Sequence, residues 1–282
     1  MRLKTTMILL LVFVASLTLL AAGSACDLGD NGDGGAASEA MLNMMKRVPD
    51  DVAMFMFYDV EGIQAEDDWA DMFGEEWDMS DAGIDVDTED IEAFAMAMTE
   101  DFGTIILIEG NFDADEIGDA LEDAGYDDAT YNDVDIWVME EYGFSEAVAL
   151  LDGLLIAGTE DSVKDCIDVI EDGDDSLYDN EDFKDASDHI GDGLLAVLVG
   201  GEDVAGEYDG GEVMGMSFDA KDSDTAKVTG VMVFEDADAA DDAMDEIEDD
   251  LKDEEEWDNF DIDQSGRIIE ASGEVDIDDV GF

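Results

Sequence analysis

Acidic side chains recur in nearly every stretch of this chain, and their spacing decides which segments can lie inside a fold. Asp and Glu number 82 against 10 Lys and Arg, a formal net charge of −72 over 282 residues. They are spread along all segments rather than gathered in an appended tail. Such a chain does not bind nucleic acid through phosphates or settle on anionic lipid by charge. Two readings compete. In salt adaptation, self-repulsion is relieved as the Debye length falls from about 8 Å in physiological salt to about 3 Å at 1 M. The other is a multi-site binder of divalent cations. Salt adaptation is the better account, because the acids take nearly every solvent-facing position.

Two uncharged segments stand out, Val52 to Tyr58 (VAMFMFY) and Leu194 to Val199 (LLAVLV). Both are apolar on both faces, as central strands are. With 46% hydrophobic residues and one proline, Pro49, the chain can build a proper core.

The N-terminus reads as an export signal, residues 1–25. Arg2 and Lys4 form a basic head, Met7 to Leu20 an apolar run, and Ala21 to Ala25 a small-residue exit. The run is too short to span a bilayer, which takes roughly 20 apolar residues. Cys26 follows, and the arrangement resembles a bacterial lipoprotein signal, which implies a lipid on Cys26. Cleavage after Ala25 by a general signal peptidase is the alternative. Residues 26–38, rich in Gly, Asp and Ala, read as a flexible tether. The remaining cysteine, Cys166, lies on an apolar helical stripe and reads as a small buried hydrophobe.

Beyond the tether, periodicity predicts helices over 39–48, 114–124, 161–171, 181–190 and 236–251. Strands are predicted over 52–58, 91–98, 104–109, 135–139, 147–151, 154–157, 194–199, 213–220, 226–234, 259–263 and 267–275, with a helix as the competing reading for 91–98. Asp152-Gly153 carries a type I′ hairpin signal. The order helix, buried strand, alternating strand, strand, helix, strand runs from 39 to 139 and again from 181 to 275. An α+β fold is therefore expected, as an internal duplication: two related antiparallel sheets, each with helices packed on one face. The first repeat takes 39–178, including a hairpin-helix connector, and the second 179–282.

This layout resembles a family of exported bacterial proteins catalogued as domain of unknown function 3352. Val48-Pro49-Asp50-Asp51-Val52 before a strand carries part of the resemblance. So do Leu154-Leu155-Ile156-Ala157-Gly158 before a helix, and Ser176-Leu177 ahead of Asp182-Phe183-Lys184. The resemblance implies an envelope location and offers no catalytic residues.

Chemistry finds few candidates. The single histidine, His189, sits at a helix end where a cation is favourable. No GxSxG, GxxxxGK[ST] or HExxH pattern occurs, and among 82 acids no carboxylate pair is distinctive, so neither an enzyme nor a cofactor is expected and a hydrolase is the third reading. Asp261-x-Asp263-x-Ser265-Gly266 copies the first half of an EF-hand calcium loop, but position twelve is Ser272 and strands flank it. A turn with Gly266 at positive φ is the competing reading. Three MxM pairs, Met54/Met56, Met96/Met98 and Met214/Met216, each point two thioethers one way on a strand. That suits one soft Cu(I) ion, although core filling by an adaptable side chain is the better account of the methionines. Trp69, Met72, Phe73 and Trp77 form a stripe that is either a flap on the first sheet or a partner surface. The expected protein is thus a lipid-anchored envelope binding domain without catalysis. Its partners would be the membrane, through the lipid, and an unidentified envelope protein or ligand. The alternative is an extracytoplasmic binder of calcium or copper.

Overall fold

Both uncharged segments become strands, and they pair with each other. The computed structural model describes residues 37–65, 90–99, 102–141, 143–201, 208–220, 225–253 and 261–276. The signal, Cys26, nearly all of the tether and the Trp69–Trp77 stripe lie outside the described residues. Strand β1 (Val52–Tyr58) aligns antiparallel with β8 (Leu195–Gly200), from Met54 opposite Val199 to Tyr58 opposite Leu195.

From this joint the sheet grows outward both ways. On one side follow β2 (Ile91–Thr99), β3 (Thr104–Gly110), β7 (Leu154–Thr159), β6 (Phe144–Leu151), β5 (Val134–Glu141) and β4 (Asp127–Tyr131). On the other follow β9 (Gly211–Ala220), β10 (Thr225–Phe234), β12 (Ile268–Asp276) and β11 (Asp261–Ser265). The result is α+β with one twelve-stranded sheet, antiparallel throughout, rather than the two sheets expected. The physical reason is that β1 and β8 are apolar on both faces, and each would leave an adhesive edge if its sheet stopped there. Joining them removes both edges. Strand order is mirrored about the joint, β1-β2-β3 against β8-β9-β10, until the hairpin β6–β7 intervenes on one side only.

Helices cover both faces, which corrects the one-face expectation. On the first face lie α1 (Glu39–Met45), α4 (Glu160–Asp172) and α5 (Glu181–His189). They contribute Met41, Met44, Met45, Val163, Cys166, Ile167, Phe183 and Ala186 to a core with Phe55, Phe57, Leu107, Ile156, Leu198 and Val231. On the second face α2 (Val60–Ala65) and α3 (Ala114–Ala124) place Val60, Ile63, Ile117 and Leu121 against Tyr58, Ile108, Leu155 and Val228. There too α6 (Ala237–Asp253) sets Ala240, Ala243 and Ile247 on Met232, Phe234 and Ile269. Periodicity finds a helix but not the face it covers: those predicted at 114–124 and 236–251 both lie on the second face. At the sheet's centre both faces are apolar.

Small residues let the first-face helices come close. Ala93, Ala95 and Ala97 of β2 face them, and Phe55 and Phe57 stand opposite Ala97 and Ala95. On β9 the equivalent spacer is Gly215, where a Cβ would meet Leu198 Cδ2 at 2.6 Å and Ile190 Cδ1 at 3.0 Å. The helix caps follow local rules. Asp113 and Asn180 accept hydrogen bonds from the first-turn N–H groups of α3 and α5. Asp152 and Gly153 have φ of 29° and 82°, the two positive values that a type I′ hairpin requires. At the sheet's two ends, β4 and β11 are five residues each and mostly exposed.

Candidate functional site

The second face at the joint gathers the methionine pairs. In β1, Met54 stands opposite Met98 of β2 and Met56 opposite Met96. Across β8, Met54 neighbours Val199 and Met56 neighbours Val197; these in turn pair with Met214 and Met216 of β9. Paired residues share a face, so three rows cross the sheet here. The first is Phe218–Leu195–Tyr58–Phe94–Ile108, the second Met216–Val197–Met56–Met96–Ile106, and the third Met214–Val199–Met54–Met98–Thr104.

Exposure grows from row to row. In the first, all but Phe94 are buried, and Tyr58 and Phe94 meet edge to face with ring centroids 5.7 Å apart. In the second, Met56 and Val197 are buried while Met96, Met216 and Ile106 are half-buried. In the third none is buried, and Met214 is 37% exposed. An apolar, sulfur-rich strip therefore opens away from α2, whose Val60 and Ile63 belong to the same cluster as the first row. Phe102, in the β2–β3 turn, is 81% exposed.

The calcium candidates are not gathered. Asp261, Asp263 and Ser265 occupy alternate exposed positions of β11, paired with Ser272, Glu270 and Ile268. Over a strand they span about 13 Å, too far to share an ion whose ligands sit about 2.4 Å away. Gly266, with φ of 64°, makes the hairpin turn. Among the described residues no group of three or more His, Cys, Asp or Glu is placed to hold a metal.

The first face spends its few cations on cross-links. Arg267 donates to Asp182 at 2.6 Å and to Asp185 at 2.6 Å, tying the β11–β12 turn to α5. His189 pairs with Glu270 of β12, so the histidine fastens the end of α5 to the sheet. Arg47 reaches Glu109 of β3 at 3.0 Å. Lys46 and Lys184 lie over the Tyr178 ring, and Lys164 over Tyr131. Hydrogen bonds from Lys164 and Ser145 hold the Glu160 carboxyl below its usual range, whereas the bond to Asp168 raises Tyr131. Burial pushes the Cys166 thiol well up, consistent with an inert core residue.

Sequence reasoning found each MxM pair but not their convergence, because register across strands is invisible in a single chain. Phe94, Tyr58 and Val199 were missed as part of the strip for the same reason. No known family's sequence model matches the chain, and no curated protein does. Two solved structures resemble it, both of TP0453. Crystal form III shares 10% identity with a TM-score of 0.51, covering 84% of this chain and 95% of that one. Crystal form IV shares 9% with a TM-score of 0.50, covering 82% and 92%. At that identity the likeness shows the fold alone. Among the described residues no helix is long and apolar enough to cross a membrane.

Proposed function

We propose that this chain is an exported envelope protein, lipid-anchored through Cys26, that works by binding rather than by catalysis. The observation that carries the binding reading is the half-exposed strip on the second face. In a chain with 82 acids, leaving Met54, Met96, Met98, Val199 and Met214 short of full burial is costly unless something uses them. Adaptable thioether side chains suit such a surface. Export and anchoring rest on the sequence of residues 1–38, and the resemblance to domain of unknown function 3352 belongs to the same proposal. The mirrored strand order supports an origin of the two halves by duplication.

The intact mass of membrane-extracted protein tests the anchor. Diacylglyceryl and acyl mass on Cys26 as the first residue is the expected result; an unmodified chain starting at Cys26 overturns it. The acidic coat is read as salt adaptation. Stability should rise between about 0.05 M and about 2 M of a weakly interacting salt, as screening removes self-repulsion. Equal stability at both ends overturns that part. The alternative reading, an extracytoplasmic cation binder, is favoured by one observation: two MxM pairs stand directly opposite each other.

A further inference from the structure

We infer that Met54, Met56, Met96 and Met98 form a binding site for a single soft monovalent ion, Cu(I) by preference. The inference rests on reading the second face as the binding surface and names what that surface takes. Facing strands lie ~4.8 Å apart and alternate residues along a strand ~6.8 Å apart, so these side chains rise from the corners of a small rectangle. Each corner is only ~4 Å from the centre by that geometry. A methionine side chain is unbranched, with three rotatable bonds, so all four sulfurs can lean over one point. Thioethers are soft and uncharged donors, which favour Cu(I) over the Ca²⁺ and Mg²⁺ that carboxylates prefer.

The surroundings fit the same chemistry. Tyr58, buried, and Phe94, half-buried, close one end of the rectangle as an edge-to-face aromatic pair, and the half-buried Met54 and Met98 keep the other end open. One buried corner, Met56 at 2% exposure, and three half-exposed ones describe a site that an ion enters from solvent. Water is excluded from one side while the strong negative field of the chain concentrates cations outside. The mirror-related position supplies an internal contrast. There Val197 and Val199 of β8 stand beside Met216 and Met214, so the second rectangle has two sulfurs, not four. Met214 and Met216 also lie two strands from β1, ~9.6 Å away, and cannot complete the first site.

Ag(I), the redox-inert analogue, tests this on the purified chain carrying ¹³C-methyl methionine. Titration should shift the methyl resonances of Met54, Met56, Met96 and Met98 together, complete at one equivalent. The Met214 and Met216 signals should stay in place over that range. Assignment comes from single Met→Leu variants, which keep volume and fold. Met54→Leu with Met98→Leu should weaken Ag(I) at least tenfold, whereas Met214→Leu with Met216→Leu should leave it unchanged. No shift of the four signals overturns the inference, as does a gradual shift shared by all the methionines. Acylation of Cys26 is read separately by mass, so failure here leaves the envelope proposal standing.

Discussion

The two halves of the sheet mirror each other in strand order about β1 and β8, yet they are held and furnished differently. The half beginning at β1 carries four methionines at its inner corner and extends through the extra hairpin β6–β7. The half beginning at β8 carries valines there and is closed sooner, by β12 and β11. Its fastening to α5 is ionic, through Arg267 of the β11–β12 turn and through His189 at the end of that helix. In the other half, Arg47 is the link from the end of α1 to β3, and Lys164 stacks over Tyr131. Buried apolar clusters on both faces hold the centre, while the ion pairs of α5 lie toward one flank.

The sharpest test of that comparison is at the joint. Phe55 is fully buried there, and Phe55→Ala should cost about 3–5 kcal/mol, measured by denaturant unfolding in high salt. Unfolding should remain one transition for both halves. Two separated transitions would mean that they fold independently, and the single-sheet account would fail. Next comes a pair of glycines. A Cβ on Gly158 would lie 1.9 Å from the Thr104 carbonyl oxygen, whereas one on Gly215 meets side-chain ends. Gly158→Ala should cost about 1–3 kcal/mol, and more than Gly215→Ala, because backbone cannot step aside.

Smaller effects probe the fastenings. Arg267→Ala should lose about 1 kcal/mol or less in low salt and still less in high salt, since this network is partly exposed. An effect that does not fall with salt would mean that the side chain's packing, not its charge, holds α5. The smallest expected effect is a pH dependence. Hydrogen bonds from the Ser176 hydroxyl and backbone N–H hold the Asp179 carboxyl below its ordinary 3.8. A lowered folded-state value means that its stabilisation is complete above the ordinary value and is lost as pH falls through the lowered one. The stability difference between wild type and Asp179→Asn should therefore be flat near neutrality and shrink below about pH 4. A difference that stays flat in acid would remove this carboxylate from the list of fastenings.

Local chemistry was legible in the sequence. The strand 52–58 and the helix 114–124 are found with the limits that periodicity predicts, and the alternation of Ala93, Ala95 and Ala97 with Phe94, Met96 and Met98 is the observed division of faces. One strand and one α-helix escaped. β4 (DDATY) has no apolar alternation because it is an exposed edge, and only the Asn132-Asp133 turn, with both φ positive, marks it. α2 (VEGIQA) is too short to show a period. Which strands meet was not legible at all. Pairing of β1 with β8 spans more than a hundred residues, and nothing local in either strand distinguishes a shared centre from two separate ones. The candidate site inherits that limit, since it exists only once β1 and β2 are set in register.

The ends of the sheet carry a consequence for storage and purification. Asp127 and Asp128 sit on β4 and Asp261 and Asp263 on β11, all exposed. Repulsion between these termini guards against molecules zipping together end to end. Brine that shields the body of the protein blunts the same guard, leaving brevity and the hydration of the carboxylates to keep neighbours apart. Acid would strip away even that hydration, so fibrils should be sought first where low pH and high salt coincide.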